Sequence, residues 1–294
     1  MKKIVLAGGT GFLGSFLASK FRAGGDQVII LSRNNGDVQW KDSEVISSVL
    51  EGADLVINLA GKSVDCRYNE KNKKDILESR VTTTKAIGNA ILKCSHPPKL
   101  WINSSTATIY RHAEDRAMTE ENGEIGTGFS VNVALQWEKT FFEFQLPATR
   151  QVALRMAIVL GKEGGVMQPL KRLAQFGLGG KQGKGSQMFS WIHIEDVYQI
   201  ILFLAEHENL NGVFNCSSPH PVTNEMFMKT LRNKLNKKIA LPSPEWLLKI
   251  GAVMIRTETE LILKSRWVLP HRLVKLGYTF TYPSLQKALE EIVV

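Results

Sequence analysis

The first groups in this chain able to do chemistry are backbone amides. Gly8-Gly9-Thr10-Gly11-Phe12-Leu13-Gly14 spaces three glycines as G-x-x-G-x-x-G directly behind the apolar run KIVLA. Such a turn carries unpaired N–H groups to the start of a helix, where they and the helix dipole hold a pyrophosphate. Gly8 permits the tight bend, Gly11 lets phosphate approach the backbone, and Gly14 lets helix pack on strand. The side chain with matching chemistry is Arg33, just past the next apolar run, QVIIL at 27–31. NAD-binding units place an acidic residue about 20 positions beyond the glycines, to bond the ribose 2′-OH. Here no carboxylate occurs in that region before Asp37. A guanidinium makes charge-assisted, often bidentate bonds to a 2′-phosphate, which favours NADP over NAD. The bland readings are a ligand-free βα turn and an exposed arginine in a polar loop.

These residues need a strand, a turn and a helix to hold them. Leu13, Phe16, Leu17 and Phe21 recur at helical spacing, and Gly24-Gly25 closes that helix. Further buried strands are expected at 54–60 (DLVINLA), 100–105 (LWINSS) and 151–161 (QVALRMAIVLG). Helical spacing covers 70–94, 128–145, the stretch from Gly164-Gly165 to Phe176, and about 195–206. Strands alternating with helices predict an α/β protein with a Rossmann-type, doubly wound parallel sheet. His193 and Asp196 fall at a strand end before an N-capped helix and read as structural rather than catalytic. The glycine-rich loop 177–185 has no Walker pattern and reads as a mobile lid or turn. Leu241-Pro242-Ser243-Pro244 marks a change of character. Residues 1–240 are expected to form the nucleotide-binding domain with interleaved substrate-side segments. Residues 241–294 are expected to form a small, mostly helical module, with helices at 246–255, 258–264 and 271–275 and a last one at the end.

Composition excludes several classes. The net charge is +9, and basic residues such as Lys229, Arg232, Lys264 and Arg266 cluster late in the chain. They are interleaved with apolar helical positions and no nucleic-acid motif accompanies them, so a solvated basic face is expected and nucleic acid is not. No segment approaches the ~18 apolar residues of a membrane span. The opening MKKIVLA is too short an apolar run for a signal peptide and is needed as the first strand. Cys66, Cys94 and Cys216 are isolated, form no C-x-x-C and suit a reducing cytoplasm. No metal is expected; a small-molecule substrate and a homodimer are.

Several stretches together resemble the atypical short-chain dehydrogenase/reductases of the SDR39U1-like epimerase family, over nearly the whole length. They are GGTGFLG, DLVINLAG, ILESRV at 76–81, LRMAIVLG with Gly164-Gly165, WIHIEDV, and Leu269-Pro270 with GYTFTYPSLQKAL. The resemblance implies an NADP(H)-binding protein of extended-type fold, ending in the small C-terminal module typical of that group. It implies that Leu59, Ala60 and Gly61 lie under adenosine and ribose. It places Thr106, four residues before Tyr110, where extended members bond the reacting substrate oxygen, with Ser104 beside the cofactor. Arg80 stands where relatives keep an asparagine and is expected to polarise or orient substrate.

The family's Tyr-x-x-x-Lys pair is missing, because none of the five tyrosines has a lysine four residues on. The two positions fall near Ser130 and Ala134, or one residue earlier at Phe129 and Val133. Many members carry a cysteine where this chain has Ala134, a departure that weakens any thiol mechanism. Two functions follow. One is an NADP-dependent oxidoreductase or nucleoside-sugar-type epimerase of unidentified substrate, using Thr106 and Arg80. The other is a catalytically impaired NADP(H)-binding sensor acting through a partner. Any acid work by Tyr68 or Tyr110 would need a displaced tyrosine.

Overall fold

The computed structural model describes residues 1–248 and 258–293. Its centre is a seven-stranded, all-parallel sheet of order β3-β2-β1-β4-β5-β6-β10. These strands are β1 (Lys3–Ala7), β2 (Gln27–Ser32), β3 (Val38–Gln39), β4 (Leu55–Asn58), β5 (Leu100–Thr106), β6 (Arg150–Met156) and β10 (Gly212–Cys216). Side chains alternate across a strand, so a strand covered on both faces must be apolar throughout. Ile4 and Leu6 enter one core with α1 (Phe12–Ala23) and α6 (Ile194–Glu206), whereas Val5 and Ala7 enter the other. That second core is closed by α2 (Ser43–Leu50), α3 (Glu70–Ile91) and α4 (Phe129–Phe142). The strand order reverses about β1, which lies between β2 and β4, and a crevice opens there at the carboxyl ends.

The strand expected over 151–161 is two strands. Ala157 N–H donates to Cys216 O at 3.0 Å, the last residue of β10, and beyond it the chain has no neighbour in the large sheet. Its backbone groups need new partners. β7 (Ile158–Leu160) finds them by pairing in parallel with β9 (Trp191–His193), while the short β8 (Met188–Phe189) pairs antiparallel with Val222–Thr223.

The glycine-rich loop 177–185 is tied down rather than free to act as a lid. Gly180 N–H donates to Leu241 O at 3.1 Å and Gly183 N–H to Ser243 O at 2.9 Å. Ser243 N–H returns a bond to Lys181 O at 2.9 Å, and Gln182 N–H donates to Asn224 Oδ1 at 2.9 Å.

His193 caps α6, accepting from Glu195 N–H at 3.2 Å, and Asp196 accepts from the N–H groups of Thr281 and Tyr282 at 2.7 and 3.0 Å. Both side chains are thus spent on structure. The C-terminal stretch runs through the body of the molecule. Val268 N–H donates to Ser190 Oγ at 2.8 Å and Met118 N–H to Trp267 O at 2.7 Å. The closing helix Leu285–Val293 buries Leu289 and Ile292 against α5 (Met167–Gln175) and α7 (Asn224–Lys234). Short helices occupy Glu260–Leu263 and His271–Lys275, while most of the helix expected at 246–255 lies outside the described residues.

At the join of β1 to α1 two stretches of backbone meet closely. A Cβ on Gly14 would run into Gly8 O and Gly9 Cα, backbone that has no side route away. Gly14→Ala is therefore expected to cost about 2 kcal/mol. Gly11 has φ −82° and nothing nearer than 3.6 Å to such a Cβ. Thermal unfolding should show Gly14→Ala lowered and Gly11→Ala unchanged; equal midpoints would remove the packing role.

Candidate functional site

The turn between β1 and α1 is built for close approach. Gly8 has φ +79°, and a Cβ on it would stand 2.9 Å from Ala60 N and Leu59 C at the end of β4. Gly9 is buried under Ile30, Thr10 is exposed, and the Phe12 ring fills the space over Gly161, Gly164 and Gly165. Leu13 packs on the first core. The N-terminus of α1 has no capping side chain and no acidic residue in its first turn. Its positive end and free amides, those of Phe12 and Leu13 among them, remain available to an anion.

The end of β2 is equally open to a ligand. Ser32 Oγ is buried without a hydrogen-bond partner. Asp37, the first carboxylate after β2, is turned back and accepts from Ile30 N–H at 2.7 Å. Arg33 is exposed, and among the described residues no carboxylate pairs with it.

Beneath Leu59, Ala60 and Gly61 runs a buried polar network. Asn58 Nδ2 donates to Asn103 Oδ1 at 2.7 Å and Thr84 Oγ1 at 3.1 Å, while Asn58 Oδ1 accepts from Ala60 N–H at 3.1 Å. Trp137 Nε1 donates to Thr84 Oγ1 at 3.0 Å, which fixes the indole. Arg80 lies 5.0 Å over that indole and gives Nη1 to Lys62 O at 3.0 Å and Ile76 O at 2.9 Å. A Cβ on Gly61 would stand 3.0 Å from Arg80 Cζ, so the guanidinium supports the turn directly. Burial lowers Arg80 to about 10, which leaves it charged at neutral pH.

A cleft of about 210 Å³ opens where these pieces meet. Leu59, Ser104 and Thr106 reach it from the strand ends, Ile76 and Arg80 from α3, and Phe129, Ser130, Val133 and Trp137 from α4. Thr106 Oγ1 accepts from Thr108 N–H at 3.1 Å, which leaves its own proton to give away. Ser104 makes only a long bond, 3.4 Å, to Ser105 O. Ser105 is committed elsewhere, donating to Glu138 Oε1 at 2.6 Å.

Glu138 in turn holds Arg155 bidentately at 2.8 and 2.7 Å, Arg155 Nη1 donates to Tyr110 Oη at 2.9 Å, and Tyr110 donates to Asn215 Oδ1 at 2.9 Å. Tyr110 is therefore a structural residue.

Three features differ from the sequence expectation. Of the two registers the sequence leaves open, Ser130–Ala134 does not face the cleft as a pair, because Ser130 lines it but Ala134 is buried with Ala107 and Ile109. The cleft-facing residues at that spacing are Phe129 and Val133, both apolar. Second, Tyr68 enters the cleft from the loop before α3, its ring edge-on to Phe129 at 5.0 Å. No spacing in the sequence announces that approach. Third, Lys264 and Arg266 are not on a solvated face. Lys264 Nζ donates to Thr108 O at 2.8 Å and Arg266 Nε to Thr108 Oγ1 at 3.0 Å, both at the rim of the cleft.

Sheet order, glycine turn and cleft together define a dinucleotide-fold protein of short-chain dehydrogenase/reductase architecture. Residues 4–217 match the model of the NAD dependent epimerase/dehydratase family, and residues 243–292 match that of a domain of unknown function, DUF1731. The chain belongs to the NAD dependent epimerase/dehydratase family. It is 33% identical to the human epimerase family protein SDR39U1 over 296 residues, 99% of either chain. To the epimerase family protein YfhF of Bacillus subtilis it is 34% identical over 304 residues, 99% of this chain and 97% of that one. The crystal structure of human SDR39U1 (isoform 2) with NADPH superimposes with a TM-score of 0.88 at 33% identity, covering 98% of both chains. The expected family and doubly wound fold are both borne out. Among the described residues no helix is long and apolar enough to cross a membrane.

Burial and the neighbouring Arg266 lower Lys264 to about 8 from 10.5. Between those values the unfolded chain binds more protons than the folded one, so this residue's contribution to stability rises with pH through that window. The stability of the wild type relative to Lys264→Met should therefore improve as pH climbs from 8 toward 10.5. Urea unfolding of both proteins below and above the window checks this; a pH-independent difference contradicts it.

Proposed function

We propose that this chain binds NADP(H) along the carboxyl edge of its sheet and acts on a small carbonyl or hydroxyl compound in the cleft. The amides of Phe12 and Leu13 would hold the pyrophosphate, with Gly11 leaving room for it beside the turn and Ser32 and Arg33 at the 2′-phosphate. Leu59, Ala60, Gly61 and Ser104 would line the path to the cleft. The observation that carries this reading is the pairing state after β2. Asp37 is spent on Ile30 N–H, while no carboxylate answers Arg33 among the described residues. The human relative's structure was solved with NADPH, which supports the same choice.

When bound, the cofactor supplies hydride exchange. Thr106 gives its free proton to the substrate oxygen as a hydrogen bond. Arg80 holds the Gly61–Lys62 turn and lends a fixed positive charge to the cleft wall. A second reading, a sensor that binds NADP(H) without turnover, is favoured by the apolar Phe129 and Val133 facing the cleft. Consumption of NADPH in the presence of aldehydes and ketones separates the two.

One charge-assisted bond to the 2′-phosphate is worth roughly 1.5–3 kcal/mol, or about ten- to a hundredfold in affinity. Titration should show the wild type preferring NADP(H) to NAD(H) by that margin and Arg33→Ala losing the preference. Equal wild-type affinities would sink the assignment. Gly11→Val should abolish nucleotide binding with the unfolding midpoint preserved, because a Cβ there meets nothing nearer than Gly8 O at 3.6 Å. Normal binding by that variant would make the glycine turn a plain loop.

A further inference from the structure

Tyr68 carries the one feature of the cleft that the reading above does not use. Its ring lines the cleft and its hydroxyl is buried without a hydrogen-bond partner. An unpaired buried hydroxyl is destabilising, and phenylalanine would fill the same space without that penalty. Ser130 is the neighbouring hydroxyl that bears on the phenol, and it acts against the effect of burial. Ser130, beside it, donates its own proton to Glu260 Oε2 at 3.1 Å. Glu258 Oε1 accepts from the Tyr68 backbone N–H at 2.7 Å and so fixes the residue from behind. Phe129 meets the ring edge-on, at the place on α4 where a tyrosine of the family pair would stand.

We infer that the Tyr68 hydroxyl is the hydrogen-bond donor kept for the ligand's oxygen in this cleft, and that the ligand is a small neutral carbonyl compound with an apolar body. The inference deepens the reading of the cleft as a substrate site and rests on it. Burial pushes the phenol up from its ordinary value, so the proton stays on Tyr68 at neutral pH and is there to donate. Neutrality of the ligand follows from the charges nearby. Among the described residues Arg80 lines the cleft with its Nη1 given to two backbone carbonyls, and Lys264 and Arg266 at the rim are held on Thr108 and faced by Glu260. Glu258 and Glu260 add negative charge on the Tyr68 side. Size follows from volume: about 210 Å³ is less than the ~300 Å³ at which ordinary ligand pockets begin. An apolar cavity of about 150 Å³ accepts benzene, so one ring and a carbonyl fit within the cleft.

Acetophenone and α-methylstyrene have nearly the same shape, but the second carries C=CH2 in place of C=O and accepts no hydrogen bond. Calorimetric titration of both into the full-length chain, with and without NADPH, tests the inference. The wild type should bind acetophenone about tenfold more tightly than α-methylstyrene, and Tyr68→Phe should bind them equally. The unfolding midpoint of Tyr68→Phe without either compound should match or exceed that of the wild type. A wild type that binds neither compound or both alike, a variant that keeps the preference, or a variant with a lowered midpoint overturns the inference. A wild type that discriminates but binds no NADPH instead refutes the cofactor reading and leaves Tyr68 as the donor.

Discussion

The carboxyl edge of the sheet depends on one backbone-to-backbone approach. α1 leaves the turn so close to β1 that Gly14 lies against the Gly8 carbonyl and Gly9, and Gly8 itself lies against the end of β4 at Leu59 and Ala60. No side chain beyond a hydrogen fits at either point. The contact sets where the helix begins, aims its free amides along the crevice, and joins the turn after β1 to the turn after β4. Phe12 then anchors the same helix from the other side, under Gly161, Gly164 and Gly165. Ligand chemistry at this edge is a consequence of packing that admits only glycine.

Below that edge the protein runs two chains of polar groups through the interior, whose members are paired with one another. Asn58, Asn103, Thr84 and Trp137 link β4, β5, α3 and α4 in one network. Ser105, Glu138, Arg155, Tyr110 and Asn215 form a second chain that crosses from α4 to β10. Buried charges survive only when matched in this way, and removing one partner of such a pair costs about 3–5 kcal/mol. The second chain also explains why a tyrosine four residues after Thr106 does no acid work: its hydroxyl both accepts and donates within the core.

The cleft draws its groups from several elements that lie far apart in the chain. Helix α4 presents the apolar Phe129 and Val133 to it. A phenol arrives instead from the loop before α3, and cations arrive from the C-terminal stretch as Lys264 and Arg266. The acidic pair Glu258 and Glu260 fastens that stretch to Tyr68 and Ser130. Residues matched by the domain of unknown function thus frame the cleft, so the two family models describe parts that work against each other's surfaces.

What could be read in the sequence was local. KIVLA followed by the three glycines and the Leu13–Phe16–Leu17–Phe21 spacing specifies strand, turn and helix, because each is decided by neighbours within a few residues. Arg33 and the missing carboxylate were legible for the same reason, as was the lack of a lysine after any tyrosine, whereas Thr106 was implied by the family resemblance. Tertiary structure decided the rest. The break after Met156 depends on where β10 stops, and the loop at 177–185 is held by residues 241–243 far along the chain. Whether Ala134 or Val133 faces the cleft depends on how α4 is rolled against Trp137 and its partner Thr84. Tyr68, Lys264 and Arg266 acquire meaning only when distant segments bury them together. Periodicity reports which face of an element is apolar; which other element covers that face, and which polar groups are left unpaired there, is settled by long-range packing.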